Sequence, residues 1–181
     1  MSTPFASPPL ADVLPAGSYE VIASTDDIPT LIVPADRIET VCRTLRDHPA
    51  TRFTVCLDIT ATDHFPRAPR FDVVYHLVSV ELTLTLRLKV RATVDTDVPT
   101  VSTVWPSANW QEREVWDLFG IEFAGHPNLE RLLTPDDWEG HPLRKDYPVQ
   151  IKLPVKTYEA LQLTEEEFKA NVEADRRVRR K

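Results

Sequence analysis

Apolar and polar residues alternate strictly from Leu82 to Ala92. Leu82, Leu84, Leu86, Leu88, Val90 and Ala92 fall on one side, and Thr83, Thr85, Arg87, Lys89 and Arg91 on the other. Successive side chains of a strand point to opposite faces, so this period predicts a strand with one buried face and one basic, wet face. The preceding run, Phe71 to Val80, is apolar at nearly every position and suits a central strand. The two are expected to pair as a hairpin near Glu81, although no Asn-Gly or Gly-Xaa turn marks it. Upstream, Tyr19 to Ala23 and Leu31 to Val33 read as short strands, the second stopped by Pro34. Phe53 to Ile59 reads as a further β-rich run, followed by a Pro-containing loop from Thr60 to Arg70.

The period changes between Asp36 and His48. Ile38, Val41, Cys42 and Leu45 recur at i, i+3, i+4 and i+7, which predicts a helix capped at Asp36 and ended by Pro49. A second helix is expected from Trp110 to Phe119, with Asn109 and Glu112 in capping-box spacing and Gly120 at the left-handed position after its end. A last helix is expected to start at Thr164, with Glu167 completing another capping box. It carries a thin stripe of Phe168 and Val172 and runs into the basic tail Arg176 to Lys181. Two strands, helix, three strands, helix is the element order of an α+β domain: a two-layer mixed β-sheet with helices on one face. The expected organisation is a flexible leader over residues 1–17, an α+β domain over 18–123, and an extended irregular C-terminal arm over 124–181 that ends in the terminal helix.

From Ala124 to Pro154 neither period is sustained. The information there is of another kind. Of four glycines, Gly120, Gly125 and Gly140 fall in this neighbourhood, and the four tryptophans, Trp105, Trp110, Trp116 and Trp138, cluster nearby. Gly125-His126-Pro127 recurs as Gly140-His141-Pro142, and a residue before proline avoids the α region, so each copy redirects the chain. A long irregular segment is uncommon unless functional. The expectation is a docking segment held by burial against foreign polypeptide, with tryptophan and arginine as anchors.

Composition narrows the function. A net charge of −7 on 181 residues argues against bulk nucleic-acid binding and against adhesion of the whole surface to anionic lipid. The two cysteines, Cys42 and Cys56, read as small buried apolar residues and are too few for an ordinary iron–sulfur cluster. There is no G-x-G-x-x-G and no Walker A loop to cradle a nucleotide. Met1 to Glu20 contains no Lys or Arg, unlike a secretory signal or transit peptide, and no run approaches the ~18 apolar residues of a membrane span. An intracellular, soluble chain is expected, reaching a membrane only through partners.

Three constellations invite sharper chemistry. Glu112, Arg113, Glu114 and Asp117 offer paired carboxylates for acid–base work, but Arg113 and Asp117 at i, i+4 equally suit a local ion pair in a structural or interface network. His126 and His141, with Asp136 and Asp137 between them, offer two imidazoles and a carboxylate for a metal, yet their spacing enforces no convergence. Arg144 and Lys145 suit phosphate, or the carboxylate of a partner. The network and partner readings are the simpler ones throughout.

The run from Glu112 to Ile121 (Glu-Arg-Glu-Val-Trp-Asp-Leu-Phe-Gly-Ile) resembles the signature of the C-subunit family (30 kDa class) of NADH:quinone oxidoreductase, respiratory complex I. So do Gly125 to Leu129, Arg131 to Leu133 and Gly140 to Pro148, and upstream Phe71 to Leu77 and Leu86 to Val90; the likeness runs from about Pro34 to Pro148. Glu130 departs from it, standing where the family usually has a basic residue. The resemblance implies a cofactor-free structural subunit with no catalytic residues of its own, in an enzyme whose FMN and iron–sulfur clusters lie in partner subunits. It implies packing on the quinone-site D subunit near the cluster-bearing B and I subunits, peripheral on the cytoplasmic side of the cell membrane, in a complex that passes electrons from NADH to quinone and translocates protons. Partner contacts are then expected from Glu112, Arg113, Glu114, Asp117, His126, Arg131, Trp138, His141, Arg144 and Lys145. Related subunits of membrane-bound hydrogenases and formate hydrogenlyases share the signature. The competing expectation is an independent enzyme with a metal at His126 and His141.

Overall fold

The computed structural model describes residues 9–148 and 164–170. Its centre is a five-stranded mixed sheet built from β1 (Glu20–Ile22), β2 (Thr30–Ile32), β3 (Val55–Asp63), β4 (Phe71–Ser79) and β5 (Leu84–Ala92). The spatial order is β1-β2-β5-β4-β3. β3, β4 and β5 form an antiparallel meander, β2 lies parallel to β5, and β1 closes the far edge antiparallel to β2. The alternation of β5 does what its period predicts: Leu84, Leu86, Leu88, Val90 and Ala92 are buried, while Thr85, Arg87 and Lys89 are half-buried and Arg91 is exposed. The basic face is braced by acids, with Arg87 on Asp26 at 2.6 Å and Lys89 3.7 Å from Asp72.

Helix α2 (Ile38–Asp47) follows a 3-10 turn at Ala35–Arg37 and buries the predicted stripe Ile38, Val41, Cys42 and Leu45. Asp36 makes no side-chain cap; the turn takes that place. Helix α3 (Ala108–Phe119) adds Ala108, Val115 and Phe119 to the same core, which the inward residues of β4, Phe71, Val73, Tyr75 and Leu77, complete. The fold is therefore α+β, helices on one side of a mixed sheet.

Several boundaries move for identifiable reasons. The β4–β5 turn comprises residues 80–83, so Leu82 lies in it, 38% exposed, and Thr83 takes φ +54°. β3 continues to Asp63, because Thr60, Ala61 and Thr62 pair with Val74, Val73 and Asp72. Its register shifts between Cys56 and Asp58, leaving Leu57 exposed. There Ser107 Oγ donates to Cys56 O (3.4 Å) and Gln111 Nε2 to Leu57 O (3.0 Å). The leader is not loose over its second half: α1 (Leu10–Val13) leads into Leu14, and Val13 and Leu14 join the core. β6 (Val98–Pro99) and β7 (Phe123–Ala124) pair in a small parallel sheet too short to show a period.

The compact unit runs to Tyr147, so the expected boundary after residue 123 falls inside it, and Ala124 to Tyr147 lie against their own domain. The second unit comprises Pro148–Lys181. Within it residues 165–170 are helical and Thr164 and Glu167 form the predicted capping box, Thr164 N donating to Glu167 Oε2 at 2.9 Å and Glu167 N to Thr164 Oγ1 at 3.3 Å. Val172 and the basic tail Arg176 to Lys181 lie outside the described residues.

Candidate functional site

Helix α3 organises the signature. The capping box expected at Asn109 and Glu112 does not form; the helix begins two residues earlier, at Ala108, and Glu112 turns inward. At its far end Gly120 adopts φ +70°, and its N–H donates to Trp116 O at 2.7 Å. A Cβ at Gly120 would collide with the His141 ring and the Arg144 guanidinium. Arg144 donates to the carbonyls of Phe119 and Gly120. A cation there satisfies carbonyls the helix leaves open and opposes the negative end of its dipole.

Asp117 is the hub. Its side chain is fully buried, Oδ2 accepts the N–H groups of Leu132, Leu133 and Thr134 (3.0, 2.7 and 2.9 Å), and Oδ1 accepts Arg131 Nη1 (2.8 Å) and the Thr134 hydroxyl. Burial by itself would raise this carboxyl. The Thr134 hydroxyl and the three backbone donors outweigh it and hold Asp117 well below the usual carboxylate range. Arg131 continues outward to Trp138 O at 2.7 Å and Gly140 O at 3.3 Å. The Arg113–Asp117 pair suggested by spacing is absent: Arg113 instead donates to the carbonyls of Glu130 (3.1 Å) and Arg131 (3.0 Å). Because Arg113 uses main-chain oxygen at 130, the unusual Glu130 side chain disturbs nothing there.

The end of the segment is fastened from the sheet. Asp63 Oδ2 accepts Arg70 Nη2 (2.7 Å) and the Lys145 N–H (2.8 Å), and Arg70 Nη1 reaches Asp146 at 3.0 Å. Arg70 keeps the Asp63 carboxyl well below its ordinary range, helped by the N–H groups of Lys145 and Phe65. Trp138 stacks on Tyr147 with 20° between ring planes.

Glu112 differs from these. It is fully buried, accepts the Val101 N–H at 2.7 Å and the Thr100 hydroxyl, and among the described residues has no guanidinium or ammonium beside it. Desolvation pushes its carboxyl up to about 7 against the two donors. His126 Nε2 lies 3.8 Å from it, but that nitrogen points its hydrogen at Asn109 O (3.1 Å), and Nδ1 accepts the Asn128 N–H (3.1 Å). A ring with one donating and one accepting nitrogen is neutral, so the contact is not an ion pair. His141 Nδ1 donates to Asp117 O at 2.9 Å. The two histidines thus serve separate backbone groups, and among the described residues no group of three or more His, Cys, Asp or Glu could hold a metal ion.

The structure therefore brings nine of the ten expected contact residues together around α3 and its docked segment, with Glu114 exposed on the helix. Glu112 and Asp117 are buried by their own chain and cannot touch a partner. The Lys145 side chain is exposed. Sequence reasoning missed Asp63 and Arg70. It also missed Glu112 as a core residue, although its spacing from Ala108, Val115 and Phe119 puts it on the apolar stripe.

Fold and site define an α+β domain whose charged signature fixes the chain's own irregular segment. The chain belongs to the family described as respiratory-chain NADH dehydrogenase, 30 Kd subunit, whose model matches residues 31–152. It is 44% identical to the C 2 subunit of NADH-quinone oxidoreductase from Rhizobium etli over 74% of this chain and 71% of that one. With the C subunit from Methylobacterium radiotolerans it shares 48% over 76% and 67% of the two chains. A chain in the structure of the membrane-bound sulfane sulfur reductase, an archaeal respiratory membrane complex, superposes with TM-score 0.62 at 33% identity, covering 74% of this chain and 79% of that one.

Proposed function

We propose that the chain is a cofactor-free packing subunit of the peripheral arm of proton-pumping NADH:quinone oxidoreductase. It packs on the quinone-site D subunit and near the cluster-bearing B and I subunits, on the cytoplasmic side of the membrane. FMN and iron–sulfur clusters in partner subunits carry the electrons, and this chain supports assembly without catalytic residues of its own. The observation that carries the reading is the internally bonded signature: Asp117, Arg131 and Arg144 bind their own backbone, so a preformed, rigid surface is offered to a neighbour. That surface includes Trp110, 59% exposed with the Arg113 guanidinium 5.0 Å from its ring centroid, and Leu133 and Leu143, 60% and 51% exposed. Exposed Trp and Arg are the residue types that anchor interfaces. Proximity to the D subunit is supported by a relative from Acidiphilium cryptum named for C and D together (C/D). It is 47% identical over 72% of this chain, and the match covers 23% of its length. No helix among the described residues is long and apolar enough to cross a membrane, in keeping with attachment through partners.

The sulfane sulfur reductase neighbour favours a second reading, a homologous subunit of another membrane-bound respiratory complex, the class to which hydrogenases and formate hydrogenlyases also belong. Pull-down from native membranes followed by mass spectrometry separates the two. Recovery of the D, B and I subunits with the NADH-binding subunits is expected; recovery of hydrogenase subunits in their place would assign the chain to the other complex.

A further inference from the structure

We propose that Glu112 is a proton-binding site, loaded from solvent through the hydroxyls of Thr100 and Ser102. The route is a continuous hydrogen-bonded chain. Thr100 Oγ1 bonds the buried Glu112 Oε2, and lies 2.8 Å from Ser102 Oγ. Thr100 is 6% exposed, Ser102 is half-buried and reaches the surface, and Glu112 is sealed. Thr100 Oγ1 also accepts the Ser102 N–H at 3.1 Å, which fixes the two hydroxyls in register.

The transfer balances. With Glu112 ionised, Ser102 donates to Thr100 and Thr100 donates to Oε2. A proton arriving on Ser102 Oγ lets that hydroxyl pass its own hydrogen to Thr100, which passes its own to Oε2. Each hydroxyl keeps one hydrogen, every donor–acceptor pair reverses, and one carboxylic acid is formed. The Val101 N–H to Oε1 bond of 2.7 Å persists in both states.

The surroundings favour the neutral acid. Facing the site are Tyr75 on β4, Cys42 on α2, Cys56 on β3 and His126 in the turn after β7, with Glu39 and Asp58 farther out beside the two thiols. Burial pushes both thiols and the phenol up, so they stay neutral, and the His126 hydrogen bonds fix a neutral ring. Among the described residues no cation stands by to balance a carboxylate, and an unpaired buried charge neutralises instead. The Tyr75 hydroxyl is buried without a partner among them, a further unbalanced dipole beside the site.

The test is infrared difference spectroscopy of the full chain across pH, following the carbonyl stretch of a protonated carboxylic acid. One such band should persist far above the range where exposed carboxyls ionise, titrate near 7, and vanish in Glu112→Gln. After a pH jump, Ser102→Ala should load roughly tenfold more slowly with an unchanged midpoint. Thr100→Val should be slow as well, and Thr100→Ser should restore the rate. A wild-type spectrum with no acid band above the ordinary carboxyl range overturns the site. Loading at the wild-type rate in both Ser102→Ala and Thr100→Val overturns the route. If Glu112→Gln does not fold, the 13C carboxyl shift of Glu112 in the wild-type chain decides on the same terms.

Discussion

Asp117 and Glu112 lie on one helix, both fully buried, and respond to pH in opposite senses. Asp117 is held in its charged form by five donors, so its contribution to stability is present above the unfolded carboxyl range and is lost as pH falls through its lowered folded value. Glu112 is raised, so its contribution is complete below its unfolded value of 4.5 and is lost as pH rises through about 7. Each unit of pH between those values costs about 1.4 kcal/mol per group. Glu112→Gln should therefore flatten the stability profile in that window, gaining on wild type as pH increases; urea unfolding at a series of pH values measures it. Asp117→Asn should act otherwise. It leaves Arg131 without its buried partner and places an amide among donors, for a loss of about 3 kcal/mol. Hydrogen exchange at Leu132, Leu133 and Thr134 should rise, while the amides of β4 stay protected.

At the scale of elements, α3 ends where it does because Gly120 takes φ +70° and leaves room for His141 and Arg144. Gly120→Ala should cost more than about 1 kcal/mol, since the left-handed conformation is strained for alanine and the methyl displaces the capping guanidinium. Thermal unfolding reads the loss, and faster exchange at Gly120 N–H shows its origin. The strands, α2 and this glycine were legible because each expresses itself within a few residues: a period of two in Leu84 to Ala92, a stripe at Ile38 to Leu45, a glycine after an apolar run. The docked segment was not legible. Its fastenings are single charged side chains meeting main-chain groups far away in sequence, as when the Asp63 carboxylate accepts the Lys145 N–H across 82 positions, and such contacts leave no periodicity. Two-residue strands such as β6 and β7 fail for the same reason. Glu112 was misread because an acid within Glu-Arg-Glu looks solvated, although its helical phase places it inside.

For the whole molecule, the fastenings decide where the chain can be cut. Ending it after Ala124 removes the partners of Asp117, takes Lys145 from Asp63 and Asp146 from Arg70, and leaves the Asp63–Arg70 pair in place, so the remainder should melt at a markedly lower temperature than the full chain. Ending it after Tyr147 keeps all three, and a cooperative transition close to that of the full chain is expected by circular dichroism. A shorter piece melting like the longer one would show that the segment adds nothing to the domain.

The register shift in β3 has an outcome for the life of the chain before it meets any neighbour. An outer strand nine residues long would ordinarily template pairing with a second copy, yet here Leu57 is pushed out of line and its carbonyl and that of Cys56 are taken by Gln111 and Ser107. A freshly synthesised molecule so blunted is expected to resist fibrous pairing along that edge with a second copy.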